Sequence, residues 1–312
     1  MKVAFLFPGQ GAQKVGMGAE LAREFPTARA VFQEADEALG VALSQLCFEG
    51  PEETLRLTIN TQPANLVTSI AALRAFQSEC GIAPELVAGH SLGEYSALTA
   101  AGAIYLIDAV RAVRERGRLM QEACAPGRGA MAAIIGLDLA AVEAICREFS
   151  VGDEIVVPAN LNAPGQVVIS GHADSVRQAL AAAKQRGGGS SVELNVSAPF
   201  HSPLMRPARD GMKEVLDRLT VRPFSFGVIS NVTAQINREC DRVKPLLLEQ
   251  ITAPVRWAES MAVLSEAGIT EAVEFGAGRV LAGLMRRINR SVKVRAVDDP
   301  ASLRATATAL QD

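Results

Sequence analysis

Histidine is scarce in this chain, with three in 312 residues, at positions 90, 172 and 201. Five cysteines occur (Cys47, Cys80, Cys124, Cys146 and Cys240), widely spaced and odd in number. No C-x-x-C pair occurs, so metal ligation has no support, and the pattern reads as buried, reduced thiols of a cytosolic protein. There is no basic excess either. Thirty-one Lys and Arg face 34 Asp and Glu, for a net charge of −3. That excludes a nucleic-acid partner on charge grounds, and no run of like charges suggests a tail. No apolar run approaches the roughly 20 residues a membrane span needs, so no membrane association is expected. The opening MKVAFLFPGQG lacks a cleavage site of the A-x-A kind. A first strand is therefore expected there, and a cytoplasmic location for the chain. Internal repeats and low-complexity tracts are also missing.

What remains is an ordinary globular composition, 49% hydrophobic and 21% charged, long enough for a large domain and a smaller one. Apolar strand-like runs at residues 2–7, 85–89, 225–230, 271–275 and 293–297 alternate with helical patterns, notably at 61–80. Such alternation predicts a parallel sheet covered on both faces. Residues 129–197 break the rhythm and read as strand, helix, strand, strand, helix, strand, with Asn162-Ala163-Pro164 as the turn between the central strands. The fold expected is α/β: a large α/β-hydrolase-like domain with a parallel sheet, carrying a small inserted ferredoxin-like βαββαβ domain. The large domain takes residues 1–127 and 198–312, and the small one 128–197.

Residues Gly89-His90-Ser91-Leu92-Gly93 match G-x-S-x-G between a buried strand and a helix. In that setting the serine occupies a strained turn, and the flanking glycines are needed because side chains would not fit. The hydroxyl of Ser91 is thus the candidate nucleophile, with the backbone N–H of Leu92 and the new helix's dipole facing a developing oxyanion. The alternative is a purely structural turn. A serine nucleophile needs a base. His90 leaves the elbow in another direction, and His172 opens a predicted helix, where a solvent-facing or capping role is expected. His201 lies in a loop bracketed by Pro199 and Pro203 and is the candidate base, against the alternative of a structural histidine. No acid between 91 and 201 stands out as a third member, so a backbone carbonyl could orient the imidazole instead. A thioesterase would share elbow and base but usually has that acid.

With these residues placed, the sequence resembles the malonyl-CoA:acyl-carrier-protein transacylases of fatty-acid synthesis over essentially its whole length. The matching motifs are Phe7-Pro8-Gly9-Gln10-Gly11-Ala12-Gln13, Gly89-His90-Ser91-Leu92-Gly93-Glu94, Arg116-Gly117 with Met120-Gln121, Asn160-Leu161-Asn162-Ala163-Pro164-Gly165-Gln166, the His201 loop, Glu249-Gln250, and Gly276-Ala277-Gly278. The resemblance implies that Ser91 carries malonyl as an ester with His201 as base. It implies that Gln10 joins Leu92 in the oxyanion hole, that Arg116 holds the malonate carboxylate, and that a carbonyl of Gln250 orients His201. Asn160, Asn162 and Gln166, with Met120 and Phe200, would line the cleft for the pantetheine arm. Phe200 leans toward malonyl over methylmalonyl.

The implied substrates are malonyl-CoA and the phosphopantetheine thiol of an acyl carrier protein, with no permanently bound cofactor. A stand-alone acyltransferase feeding a polyketide synthase keeps the same chemistry. Lys184, Arg186, Arg286, Arg287 and Arg290 are candidates for carrier docking or simply solvated residues. Helical periodicity over residues 108–124 independently turns Arg116 toward the apolar stripe of Ala109, Val113, Gly117 and Met120. For an inward arginine the bland reading is a salt bridge to an internal acid.

Overall fold

The computed structural model describes residues 2–196 and 198–311. Ser197, at the end of the last strand expected of the small domain, lies outside them. The strands are β1 (Val3–Phe7), β2 (Leu86–Gly89), β3 (Gly129–Ile135), β4 (Val156–Ala163), β5 (Gln166–His172), β6 (Val192–Glu193), β7 (Gly227–Ile229), β8 (Ile236–Asn237), β9 (Glu271–Phe275) and β10 (Lys293–Val297).

The first sheet runs β10-β9-β1-β2-β7-β8. Its strands are parallel from β10 through β7, with Phe5 opposite Val87 on one side and Val273 on the other. β1 (VAFLF) is buried at all five positions, as a parallel strand covered on both faces must be. Only β8 runs antiparallel; this two-residue edge strand has no counterpart in the sequence reading. The helix Thr58–Glu79 is buried without a break over residues 61–73, because it lies between the sheet and other helices rather than on the surface. Phe5, Phe76 and Phe275 meet edge-on at its base, with centroids 4.9–6.1 Å apart.

The second sheet is antiparallel, in the order β4-β5-β3-β6. With the helices Leu139–Glu148 and Ala173–Gln185 it has the βαββαβ order and a core of its own, including Ile134, Val142, Ile169, Val176 and Leu180. β4 continues through Ala163, so the turn to β5 is at Pro164-Gly165, where Gly165 takes φ 70°. This is later than the expected Asn162-Ala163-Pro164 turn, since Asn162 and Ala163 stay in the strand. β6 is much shorter than the run at 190–197 suggested, and both its residues are exposed. His172 does precede a helix, yet it does not cap it. Its Nδ1 accepts from the N–H of Ile155 at 2.9 Å, joining β5 to the start of β4.

Two contacts fix β4 against the first sheet's layer. Leu161 N–H donates to Val255 O at 2.8 Å, and Val255 N–H donates to Ala159 O at 2.9 Å. Among the described residues no helix is long and apolar enough to cross a membrane.

Candidate active site

Strand β2 ends at Gly89 and a helix begins at Gly93 (Gly93–Ala100), with Ser91 at the bend. Ser91 has φ 53°, a left-handed conformation costly for a residue with a side chain. A Cβ on Gly89 would sit 1.8 Å from the Gly93 carbonyl oxygen, and one on Gly93 would sit 2.2 Å from that of Phe7. The bend therefore closes only with glycine at both flanks. Asn231 holds it shut from the far end of β7. Its Oδ1 accepts the Ser91 N–H at 2.7 Å, and its Nδ2 donates to Gly89 O at 2.7 Å.

His201 is buried, 3% exposed, on a loop where it too takes a positive φ of 55°. Its Nε2 lies 2.7 Å from Ser91 Oγ, and its Nδ1 lies 2.9 Å from the main-chain oxygen of Gln250. A carbonyl only accepts, so Nδ1 carries the proton and Nε2 of the neutral ring accepts from the serine. Burial, and next the positive charge of Arg116, push the imidazole down to about 3. The ring is neutral, as a base must be. His90 points away, with its Nε2 2.8 Å from Asn162 Oδ1.

Arg116 is 1% exposed on the helix Leu106–Glu122. Gly117 lets that helix approach closely, since a Cβ there would lie 2.5 Å from Thr58 O. The approach brings Arg116 Nη1 to Gln62 Oε1 at 2.8 Å. Its Nη2 donates to Gln250 Oε1 at 2.8 Å and to Ser91 Oγ at 3.1 Å. The internal salt bridge that the bland reading allowed is not what the residue makes: among the described residues Arg116 enters no ion pair within 4.0 Å. Its direct partners are two amide oxygens and a hydroxyl. Burial lowers its pKa, against the pull of Tyr95 and Glu94. A buried guanidinium with only neutral partners is a ready receptor for a carboxylate.

Ser91, His201 and Arg116 open onto one cavity of about 660 Å³. Gln10, Leu92, Met120, Asn160, Asn162, Gln166 and Phe200 line it as well. The amide of Gln10 donates to Thr58 Oγ1 at 3.3 Å. Gln62 also lines the cavity and donates to Met120 Sδ at 3.7 Å. Gln62 and Asn231 were not found by sequence reasoning. Gln62 sits in a helical run with no motif around it. Asn231 follows β7 in Ser230-Asn231-Val232-Thr233, whose polar residues after an apolar run were the available signal. The arrangement can deprotonate a hydroxyl, stabilise charge at the head of a helix, and bind an anionic substrate end, all within one cavity.

The acyl transferase domain family matches residues 4–297. The chain is 49% identical over 311 residues to the malonyl CoA-acyl carrier protein transacylase of Bacillus subtilis strain 168, covering 100% of this chain and 98% of that protein. It is 44% identical to the protein of the same name from Escherichia coli K12, with 97% of each covered. The solved structure of the malonyl CoA-acyl carrier protein transacylase from Coxiella burnetii superposes with a TM-score of 0.98 at 40% identity, covering 100% of this chain and 98% of that one. Another solved structure, a malonyl-transacylase in complex with its type II PKS acyl-carrier protein, gives 0.95 at 44% identity, covering 98% and 99%. The chain belongs to the acyl transferase domain family, and the serine elbow with its histidine lies within the matched span.

Proposed function

We propose that the chain is the [acyl-carrier-protein] S-malonyltransferase of fatty-acid synthesis, moving malonyl from coenzyme A to the phosphopantetheine thiol of an acyl carrier protein. The single observation that supports this most is the buried Arg116 guanidinium 3.1 Å from the Ser91 hydroxyl. It sits where the free carboxylate of a serine-bound malonyl would reach. In the first half-reaction the Ser91 proton passes to His201 Nε2 while Oγ bonds to the thioester carbon. The tetrahedral oxyanion faces the Leu92 N–H and, once it turns from Thr58, the Gln10 amide. The C–S bond then breaks and the proton leaves with the coenzyme A sulfur. In the second half the carrier thiol gives its proton to His201, attacks the ester, and Ser91 recovers its hydrogen. The Gln250 carbonyl holds the imidazole tautomer throughout. Asn160, Asn162, Gln166, Met120 and Phe200 form the walls along which the arm enters.

Both halves balance with these side chains and two thiols, so no resident cofactor is called for. We place the work in the cytoplasm. We also divide the chain into a catalytic domain of residues 1–127 and 198–312 and a smaller domain of 128–197, with the cleft between them. The same chemistry serves a polyketide carrier equally well, and the related malonyl-transacylase bound to a type II PKS acyl-carrier protein favours that second reading.

The test is to incubate the protein with malonyl-, methylmalonyl- and acetyl-coenzyme A and weigh it. A single malonyl adduct is expected, absent in Ser91→Ala. In Arg116→Ala the preference for malonyl over acetyl should fall by about two orders of magnitude, as expected when an ionic partner is lost from a buried site. No malonyl adduct on the unaltered protein would refute the assignment.

A further inference from the structure

Glu94 is a buried carboxylate that the mechanism above leaves idle. It follows the elbow on the helix Gly93–Ala100, is 3% exposed, and does not line the cavity. Its Oε2 accepts from Gln250 Nε2 at 2.7 Å and from the Asn231 N–H at 3.2 Å. Burial raises its pKa to about 7 even though these donors, and the charge of Arg116, favour the ionised form. A methionine would fill similar space without that desolvation cost.

The neighbour it touches is the residue on which the site converges. Gln250 is fully buried. Its main-chain oxygen accepts from His201, its Oε1 accepts from Arg116, and its Nε2 donates to Ser91 O at 3.0 Å. An amide has a donor end and an acceptor end of nearly equal shape. With Nε2 turned toward Glu94 and Ser91 O, Oε1 necessarily faces the guanidinium. Reversed, two donors would oppose each other at Arg116, and two acceptors would oppose each other at Glu94. The Glu94 Oε2 acceptor, together with the Ser91 carbonyl, favours the orientation observed.

We propose that Glu94 is a positioning residue for malonyl selection: by accepting from Gln250 it fixes the orientation of that amide and so holds Arg116 where a substrate carboxylate can meet it. This rests on the malonyl-transfer reading and refines it. Glu94 touches no substrate atom; it acts on Arg116 through one intervening side chain.

The experiment measures kcat/KM for malonyl- and acetyl-coenzyme A in the full chain, with thermal midpoints to establish folding. Glu94→Met should lower the malonyl-to-acetyl ratio by about tenfold or more. Glu94→Gln, which keeps an acceptor for Gln250 Nε2, should bring the ratio back to within about threefold of the unaltered protein. In a Gln250→Met background, Glu94→Met should change the ratio no further, because the intermediary is gone. Should Glu94→Met fail to fold, Glu94→Asp carries the test: it keeps the charge, retracts the acceptor, and should also lower the ratio. An unchanged ratio in a folded Glu94→Met or Glu94→Asp protein overturns the proposal. So does an undiminished effect of Glu94→Met in the Gln250→Met background. Absence of any malonyl adduct on the unaltered protein would instead sink the transfer reading itself.

Discussion

At the scale of single residues, the imidazole of His201 is tuned by two neighbours with different roles. The Gln250 carbonyl fixes its tautomer, while burial and the Arg116 charge hold the ring neutral before substrate arrives. Attack on a neutral serine-directed phosphonofluoridate should therefore stay level from about pH 8 down to about pH 5. In Arg116→Gln the positive neighbour is gone, so the acid limb should climb toward the ordinary histidine value of 6.5. Rates at several pH values decide this, and coincident limbs in the two proteins would contradict it. Ser91 and His201 were legible because a local motif and a proline-bracketed loop announce them, although they are 110 residues apart. Asn231 was not legible: it meets Ser91 from 140 residues away and only through the sheet's strand order. Gln62 was hidden for the same reason, since 54 residues separate it from Arg116.

At the scale of elements, the site depends on how closely two helices pack. Gly117 on Leu106–Glu122 faces the first turn of Thr58–Glu79, which carries Gln62. Gly117→Ala would drive a methyl group against Thr58 O. The expected outcome is a loss of about 1–3 kcal/mol in stability, seen as a lower midpoint in urea, together with a weaker preference for malonyl over acetyl as Arg116 and Gln62 separate. Unchanged stability and preference would show that the helices can shift at no cost. The inward face of this helix was readable from its period, and Arg116 falls on it. Its ends were not. The helix starts at Leu106 rather than 108, and Tyr105 before it makes no side-chain cap that could mark the boundary. β8 escaped because two residues are too few for any periodicity to show.

Across the whole molecule, buried ionisable groups pull stability in opposite directions with pH. His201 is lowered to about 3 from an ordinary 6.5. The unfolded chain binds its proton first, so this contribution is present above 6.5 and is lost as pH falls toward 3. His90, lowered by burial, acts in the same sense. Glu94 and Glu274 are raised from 4.5 to about 7, chiefly by burial. Their contribution is present below 4.5 and is lost as pH rises through 7. Thermal midpoints at pH 5 and pH 8 should show the steeper decline toward pH 8 in His201→Asn, which lacks the opposing histidine contribution. A slope equal to that of the unaltered protein would count against this account.

The stitch between β4 and Val255 bears on how the molecule yields. That side of the cavity, where Asn160 sits, is bonded main chain to main chain. Leu194, Asn195 and Val196 also line the cavity, just past the short strand Val192–Glu193, and there Leu194 N–H donates to Met131 O of β3 at 2.8 Å. Asn160 and Leu194 are thus both flanked by backbone ties, so neither edge of the cavity can be displaced without giving up a main-chain hydrogen bond.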